Sequence, residues 1–322
     1  MAVESIDPKL LERLYRSLLR IRRVEEEIAR LYPGNDIKSP VHLSIGQEAV
    51  SVGVCEALEP DDVVFGTYRG HAMYLAKGGN LDRMIAELYG RIDGCARGKG
   101  GSMHLVDVAA GVMGTSAVVA TTIPNAVGYA YAMKVKRDPR VVVSFLGDGA
   151  TEEGVFYESL NFAALKRLPI LFVCENNGYA IYTHQARRQA TLDICGRVRA
   201  FGVEAQAIED GDVFRIHETA AAALAGLRSG RSGPQFIECP TSRWREHVGP
   251  GEDFDLGFRS RDDEAHWFEK DPVAGLAAMM SPDERSRIDA AVEEEIAEAF
   301  ARAARSPFPG PEELARHVFH ER

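Results

Sequence analysis

The stretch VVVSFLGDGATEEGVFYESLNFAALKRLPILFVCENNGYAIYT, residues 141–183, decides how this chain folds. An apolar, largely β-branched run at 141–146 stops at Gly147-Asp148-Gly149. Val155, Phe156, Leu160, Ala163 and Ala164 then recur at helical spacing, and Pro169 closes that pattern. A second apolar run, 170–174, leads into Glu175-Asn176-Asn177-Gly178. Strand, helix and strand of these lengths make a βαβ unit with a buried parallel pair. A right-handed crossover sets the carboxyl ends of both strands side by side. Ligands of open α/β sheets bind at that edge. Asp148 and Asn177 each follow a strand there, 29 positions apart. One carboxylate, one amide oxygen, nearby carbonyls and glycines that admit a bulky anion suit Mg²⁺ holding a diphosphate.

Composition narrows the partners. A chain of 322 residues with 45% hydrophobic and 27% charged residues has the makeup of a water-soluble globular protein with a substantial core. A net charge of −10 argues against nucleic acid or an anionic membrane surface as the main partner. Cysteines stand singly at 55, 95, 174, 195 and 239 without a CxxC pair, which speaks for a reducing compartment and against disulfides or zinc. The first twenty residues have early acids and no apolar core of a signal peptide, so a cytoplasmic location is expected. Residues 108–133 carry no charge over 26 positions, but they are rich in Gly, Ala, Ser and Thr and hold Pro124. That composition fits a loop and helix buried against protein better than a lipid-facing span.

Taken in order, Asp7-Pro8 caps a long amphipathic helix with Leu10, Leu14, Leu18, Ile21 and Ile28 among its apolar positions. Its charged opposite face marks it as a surface helix. The run Val41-His42-Leu43-Ser44-Ile45-Gly46-Gln47-Glu48-Ala49 opens a second helix to about Leu58, and a short strand at 63–66 delivers Tyr68-Arg69-Gly70-His71. That cluster places a phenol, a guanidinium and an imidazole where an anion can bind. Residues 90–101 hold five glycines but fail the phosphate-loop spacing, since Asp93 replaces its first Gly and Gly100 follows Lys99. So glycine-rich a loop lets backbone approach a ligand. Gly111-Val112-Met113-Gly114 reads as a tight bend before an uncharged helix at about 118–134. The α/β alternation continues with a helix near 194–201, a strand near 203–208, a helix at 213–228 and a strand at 235–238. The loop after that strand, 241–251, should emerge on the ligand edge with His247 placed for proton transfer or phosphate contact. Ser281-Pro282-Asp283-Glu284 caps a last long helix. No stretch has the composition of a domain linker, so one domain, 1–322, with an N-terminal helical extension and C-terminal helices is the simplest organisation.

With these residues in view, the chain resembles the alpha subunit of the thiamine-diphosphate-dependent first component of 2-oxo acid dehydrogenase complexes, the pyruvate, branched-chain and acetoin type. The resemblance spans nearly the whole chain, through GQEA at 46–49, YRGHA at 68–72, GKGGSMH at 98–104, GVMG at 111–114 and the GDG…NN signature. It implies an α/β thiamine-diphosphate-binding fold, a mostly parallel sheet with helices on both faces, present as the diphosphate-binding module only. By position it implies Mg²⁺ ligation by Asp148, Asn177 and the Tyr179 carbonyl. Tyr68, Arg69, Gly149, Ala150 and His247 would contact the diphosphate, and Gly111 and Met113 the aminopyrimidine. His247, His42 and His71 would be active-site histidines. The implied reaction is oxidative decarboxylation of a 2-oxo acid, or acetoin cleavage, with acyl transfer to lipoamide. The implied partners are a beta subunit carrying the pyrimidine-binding domain and the activating glutamate, in an α₂β₂ assembly, and a lipoyl acyltransferase.

Some positions depart from the family pattern. Val248 stands where a phosphorylatable serine follows the loop histidine, and the loop reads Arg-Glu-His-Val-Gly-Pro-Gly rather than the HGHS type. Glu209-Asp210-Gly211-Asp212 replaces the usual DGND, and the basic segment HQARRQA follows Thr183. These changes fall where the substrate channel is expected. They leave open a transketolase-like or acyloin-forming subunit not coupled to lipoamide, and a non-catalytic regulatory subunit.

Overall fold

In the computed structural model, which describes residues 6–318, six parallel strands form one sheet in the order β2-β1-β3-β4-β8-β7. The chain enters through α1 (Pro8–Leu31) and α2 (Glu48–Glu56), then β1 (Val63–Thr67), α3 (His71–Ala76), α4 (Leu81–Leu88), β2 (Val112–Ser116) and α5 (Thr122–Lys136). The central unit follows as β3 (Val142–Gly147), α6 (Gly154–Lys166) and β4 (Ile170–Asn176). A two-strand hairpin, β5 (Tyr179–Ala180) and β6 (Thr183–His184), interrupts the alternation. Then come α7 (Ile194–Arg199), β7 (Glu204–Ala207), α8 (Val213–Arg228) and β8 (Gln235–Pro240). The short helices α9 (Ala265–Glu269) and α10 (Pro272–Ala277) lead to α11 (Pro282–Arg305).

Successive residues of the strands point to opposite faces, and the burial follows that alternation into two cores. Val141, Val143, Phe145, Leu171 and Val173 join one cluster with α1, α2, α8 and α11. Val142, Leu146, Ile170, Phe172 and Cys174 join the other with α5 and α6. The near-continuous apolar runs at 141–146 and 170–174 are therefore what a sheet covered on both faces requires. β3 and β4 pair parallel with Leu146 opposite Cys174 and Gly147 opposite Glu175, so the turns after them share one edge. Strand order reverses at β1, which has β2 on one side and β3 on the other. Crevices at such a switch point are where doubly wound sheets take ligands.

Four readings of the sequence need correction. The stretch 41–47 is not helical; α2 starts only at Glu48, and the segment before it threads through the core with Val41 and Leu43 fully buried. The GVMG motif is not a bend as a whole. Gly111 turns with φ 79, and Val112 onward is the edge strand β2. α1 is capped by Asp7 as expected, but it is no mere surface helix. It buries Arg22 and Glu25, because both charges have partners: Arg22 pairs with Glu48 and Asp271, and Glu25 accepts from the Ser44 amide. The glycine-rich loop encloses an anion of the protein's own. The buried Glu87 carboxylate accepts from the amides of Ala96 at 2.7 Å, Gly98 at 2.9 Å, Gly100 at 2.7 Å and Gly101 at 3.0 Å. A Cβ at Gly94 would meet Glu87 Oε2 at 2.3 Å, so glycine is required there by packing. Among the described residues no helix is long and apolar enough to cross a membrane; the uncharged stretch becomes β2 and α5 instead.

Candidate functional site

A cavity of about 440 Å³ opens at the carboxyl ends of β1, β3 and β4, within the size range of small-molecule sites. β1 runs out into Tyr68 and Arg69, β3 into Gly147, Asp148, Gly149 and Ala150, and β4 into Asn177 and Tyr179; all of these line it. His247 arrives from the loop after β8 and His42 from the buried stretch before α2. The expectation that the 241–251 loop emerges on this edge therefore holds.

Three rings form one wall. His42 lies 4.6 Å from Tyr68 and 5.2 Å from His247, and Tyr68 lies 5.7 Å from His247, centroid to centroid. Burial, with the Arg69 charge nearby, pushes His42 down to about 3 and His247 to about 4. Both imidazoles are thus neutral at pH 7 and can accept a proton or a hydrogen bond. His42 Nδ1 is buried without a hydrogen-bond partner among the described residues, an atom left for a ligand to satisfy.

Arg69 holds this wall in place. Its Nη1 donates to the Leu43 carbonyl at 2.6 Å and its Nη2 to the His247 carbonyl at 3.1 Å. Burial lowers its pKa only to about 10, so the guanidinium remains a cation facing the cavity. The fork expected to grip a diphosphate is thus largely engaged with backbone, and what Arg69 offers an anion is chiefly its charge.

The opposite wall carries oxygen donors. Asp148 is 1% exposed; burial raises its pKa against the lowering pull of Arg188, whose Nη2 donates to Oδ2 at 2.5 Å. Asn177 turns its Oδ1 to the Tyr179 amide at 3.1 Å and donates from Nδ2 to Gln47 Oε1 at 2.9 Å. Among the described residues no group of three or more His, Cys, Asp or Glu could hold a metal. At Asp148 a dication would find a carboxylate beside the Asn177 amide and backbone oxygens, a donor set that suits Mg²⁺ together with a phosphate compound. A Cβ on Gly149 would stand 3.1 Å from the Ala180 Cβ, so glycine keeps this turn close against the β5–β6 hairpin.

Glu175 sits at the cavity floor, with Ser51 Oγ 3.4 Å from its carboxylate and no ion pair among the described residues. Burial raises its pKa to about 7 against the opposing pull of Arg69. Neither Glu175 nor Gln47 stands out in the sequence, because each lies inside a motif whose neighbours carry the more distinctive chemistry.

Three expected site residues fall elsewhere. Gly111 precedes the first residue of β2, and Met113 is the second. In a parallel strand of five residues, rising about 3.3 Å each, they lie toward the edge away from the cavity. Neither lines it; Met113 packs toward the second core, while Ser116, Ala117 and Met103 reach the cavity wall. His71 is fully buried behind the wall, with Nδ1 3.1 Å from Glu25 Oε1 and Nε2 2.8 Å from Ser102 Oγ. Both ring nitrogens are taken, so His71 ties α1 to the loop that delivers Met103 and touches nothing in the cavity.

A family profile described as the dehydrogenase E1 component matches residues 16–312. The chain is 35% identical to the alpha subunit of acetoin:2,6-dichlorophenolindophenol oxidoreductase of Bacillus subtilis, over 95% of this chain and 92% of that one. It is 36% identical to the pyruvate dehydrogenase E1 component subunit alpha of Porphyra purpurea, over 95% and 92%. The Cupriavidus necator subunit with the acetoin oxidoreductase name is 34% identical over 98% and 95%.

Proposed function

Because the chain belongs to the dehydrogenase E1 component family, we propose that it is the alpha subunit of a thiamine-diphosphate-dependent oxidoreductase acting on a 2-oxo acid or acetoin. The observation that carries this reading is the pairing of Asp148 and Asn177 on one parallel edge, across a cavity from neutral His42 and His247. In this role Asp148, the Asn177 side chain and the Tyr179 carbonyl would hold Mg²⁺. Tyr68, Arg69, Gly149, Ala150 and His247 would face the diphosphate. When bound, the cofactor supplies the carbon nucleophile and the electron sink for cleaving a bond beside a carbonyl.

The chain's own groups orient and protonate. Arg69 offsets diphosphate charge while fixing the backbone that carries His42 and His247. A neutral imidazole at His247 can take a proton from a substrate oxygen without first losing one of its own. Glu175, titrating about 7, can hold a proton at the cavity floor at working pH.

Residues 1–322 are read as a single diphosphate-binding domain that works with a beta subunit in an α₂β₂ assembly. The partner would bring the group that activates the cofactor's pyrimidine, as the family resemblance implies. Val118 and Val119 support this: they line the cavity, yet remain 63% and 43% exposed at its rim. A lipoyl acyltransferase would be the acyl acceptor.

Turnover of a carbonyl panel by the α–β complex, with an artificial electron acceptor, tests the reading. Acceptor-dependent consumption of a 2-oxo acid or acetoin, absent with either chain alone, is expected. Turnover only when an aldehyde is supplied, without any electron acceptor, would replace it with the acyloin-forming alternative. No turnover of any carbonyl would favour a regulatory subunit.

A further inference from the structure

Arg188 fastens the segment after the β5–β6 hairpin to the floor of the cavity. Its Nη2 donates to Asp148 Oδ2 at 2.5 Å, its Nη1 contacts Glu152 Oε1, and its Nε donates to the Thr183 carbonyl at 2.9 Å. Gln189 adds a second tie through Nε2, to Thr151 Oγ1 at 3.2 Å and Glu152 Oε1 at 3.0 Å. The side chains of Arg188 and Asp148 are 9% and 2% exposed, so this ion pair is shielded from water. The hairpin tip is itself constrained: Ile181, β-branched, adopts φ 54 and its carbonyl accepts from Arg243 Nη2 at 3.1 Å.

A guanidinium and a dication cannot both sit on one small carboxylate without strong repulsion. Mg²⁺ also demands close, near-octahedral oxygens, which the bulky planar guanidinium obstructs. Resting on the reading of Asp148 as a metal ligand, we propose that Arg188 is a competitor for the divalent cation. Uptake of Mg²⁺ with its diphosphate displaces the guanidinium from Asp148. The tie between 183–189 and the Asp148–Glu152 turn then loosens, freeing the segment that borders the cavity mouth. Cofactor loading and the mobility of this segment are thereby coupled through one ion pair. The basic run at 184–188, which the family resemblance left unexplained, gains a role: it supplies the cation that neutralises Asp148 until the metal does.

The test uses the α–β complex, with Mg²⁺ and thiamine diphosphate titrated calorimetrically into wild type and Arg188→Gln. The variant should bind Mg²⁺–thiamine diphosphate about ten-fold more tightly, because the competing charge is gone. Hydrogen exchange gives a second readout independent of the variant. In wild type, amides of 183–189 should exchange faster on loading. In Arg188→Gln they should exchange fast before loading and change little on it. Equal or weaker binding by the variant, or greater protection of this segment in loaded wild type, would overturn the proposal. If wild type itself shows no Mg²⁺-dependent binding, the metal reading falls and the competition with it. Mg²⁺-dependent binding that ignores Arg188 would sink the competition alone.

Discussion

Two guanidinium–carboxylate sites lie on either side of the cavity wall, and they are balanced in opposite ways. Behind His247, Asp253 is bracketed by Arg243, at 2.6 Å, and by Arg259, all three buried. Arg243 also donates to the carbonyls of Arg245 and Ile181, and Arg259 to those of Arg243 and Arg245. Two cations serve one anion, and their other hydrogen bonds go to the loop that carries His247 and, from Arg243, to the Ile181 carbonyl at the hairpin tip. At the cavity floor the ratio reverses. Arg188 faces both Asp148 and Glu152, and Glu175 nearby has a hydroxyl but no ion pair among the described residues. The first arrangement is closed and holds a loop in shape; the second has carboxylate to spare and is suited to receive a cation.

Breaking the closed side should have the largest effect. Asp253→Ala leaves two buried guanidiniums facing each other, and a loss of about 3–5 kcal/mol in urea unfolding is expected. A loss below about 1 kcal/mol would show that the cluster is not the lock described.

Glu175 sharpens the other side through pH. Its folded pKa of about 7 lies above the ordinary 4.5, so the folded state binds more protons between those values. Stability from this group is complete below pH 4.5 and is lost as pH rises through about 7. Glu175→Gln should abolish that loss, worth roughly 3 kcal/mol between about pH 4 and about pH 8. Parallel stability profiles for wild type and variant would contradict it. His42 and His247 act with the opposite sign. Their depressed values add stability that is full above pH 6.5 and fades toward about 4 for His247 and about 3 for His42.

The smallest effect is expected behind the wall. Ser102→Ala removes the partner of His71 Nε2 and should cost about 1–3 kcal/mol in unfolding while leaving cofactor affinity near wild type. A large loss of affinity with normal stability would return His71 to the active site.

The central βαβ unit was legible because its signal was redundant: two apolar runs, helical spacing between them, and turn residues at both strand ends. Helix α8 and the caps Asp7 and Ser281 were legible for the same reason, since local chemistry alone sets them. What failed was local sequence whose meaning is set from afar. The glycines at 90–101 look like a ligand cradle, yet their amides close on Glu87, a carboxylate from the helix before them. β2 has one glycine just before it and another within it, and only its pairing with β1 shows that Gly111 and Met113 start at the wrong edge. His71 reads as catalytic beside Tyr68 and Arg69, but as the first residue of α3 it turns under the wall to Glu25. The charge balance around Arg188 was equally invisible, because its partner lies 40 positions away.

The central claim, that Asp148 and Asn177 make a Mg²⁺-dependent thiamine diphosphate site, is tested most directly by calorimetry on the α–β complex. Thiamine diphosphate should bind wild type only when Mg²⁺ is present, and Asp148→Ala should weaken that binding by at least about a hundred-fold. Tight binding without Mg²⁺, or unchanged binding by Asp148→Ala in a folded complex, would contradict it.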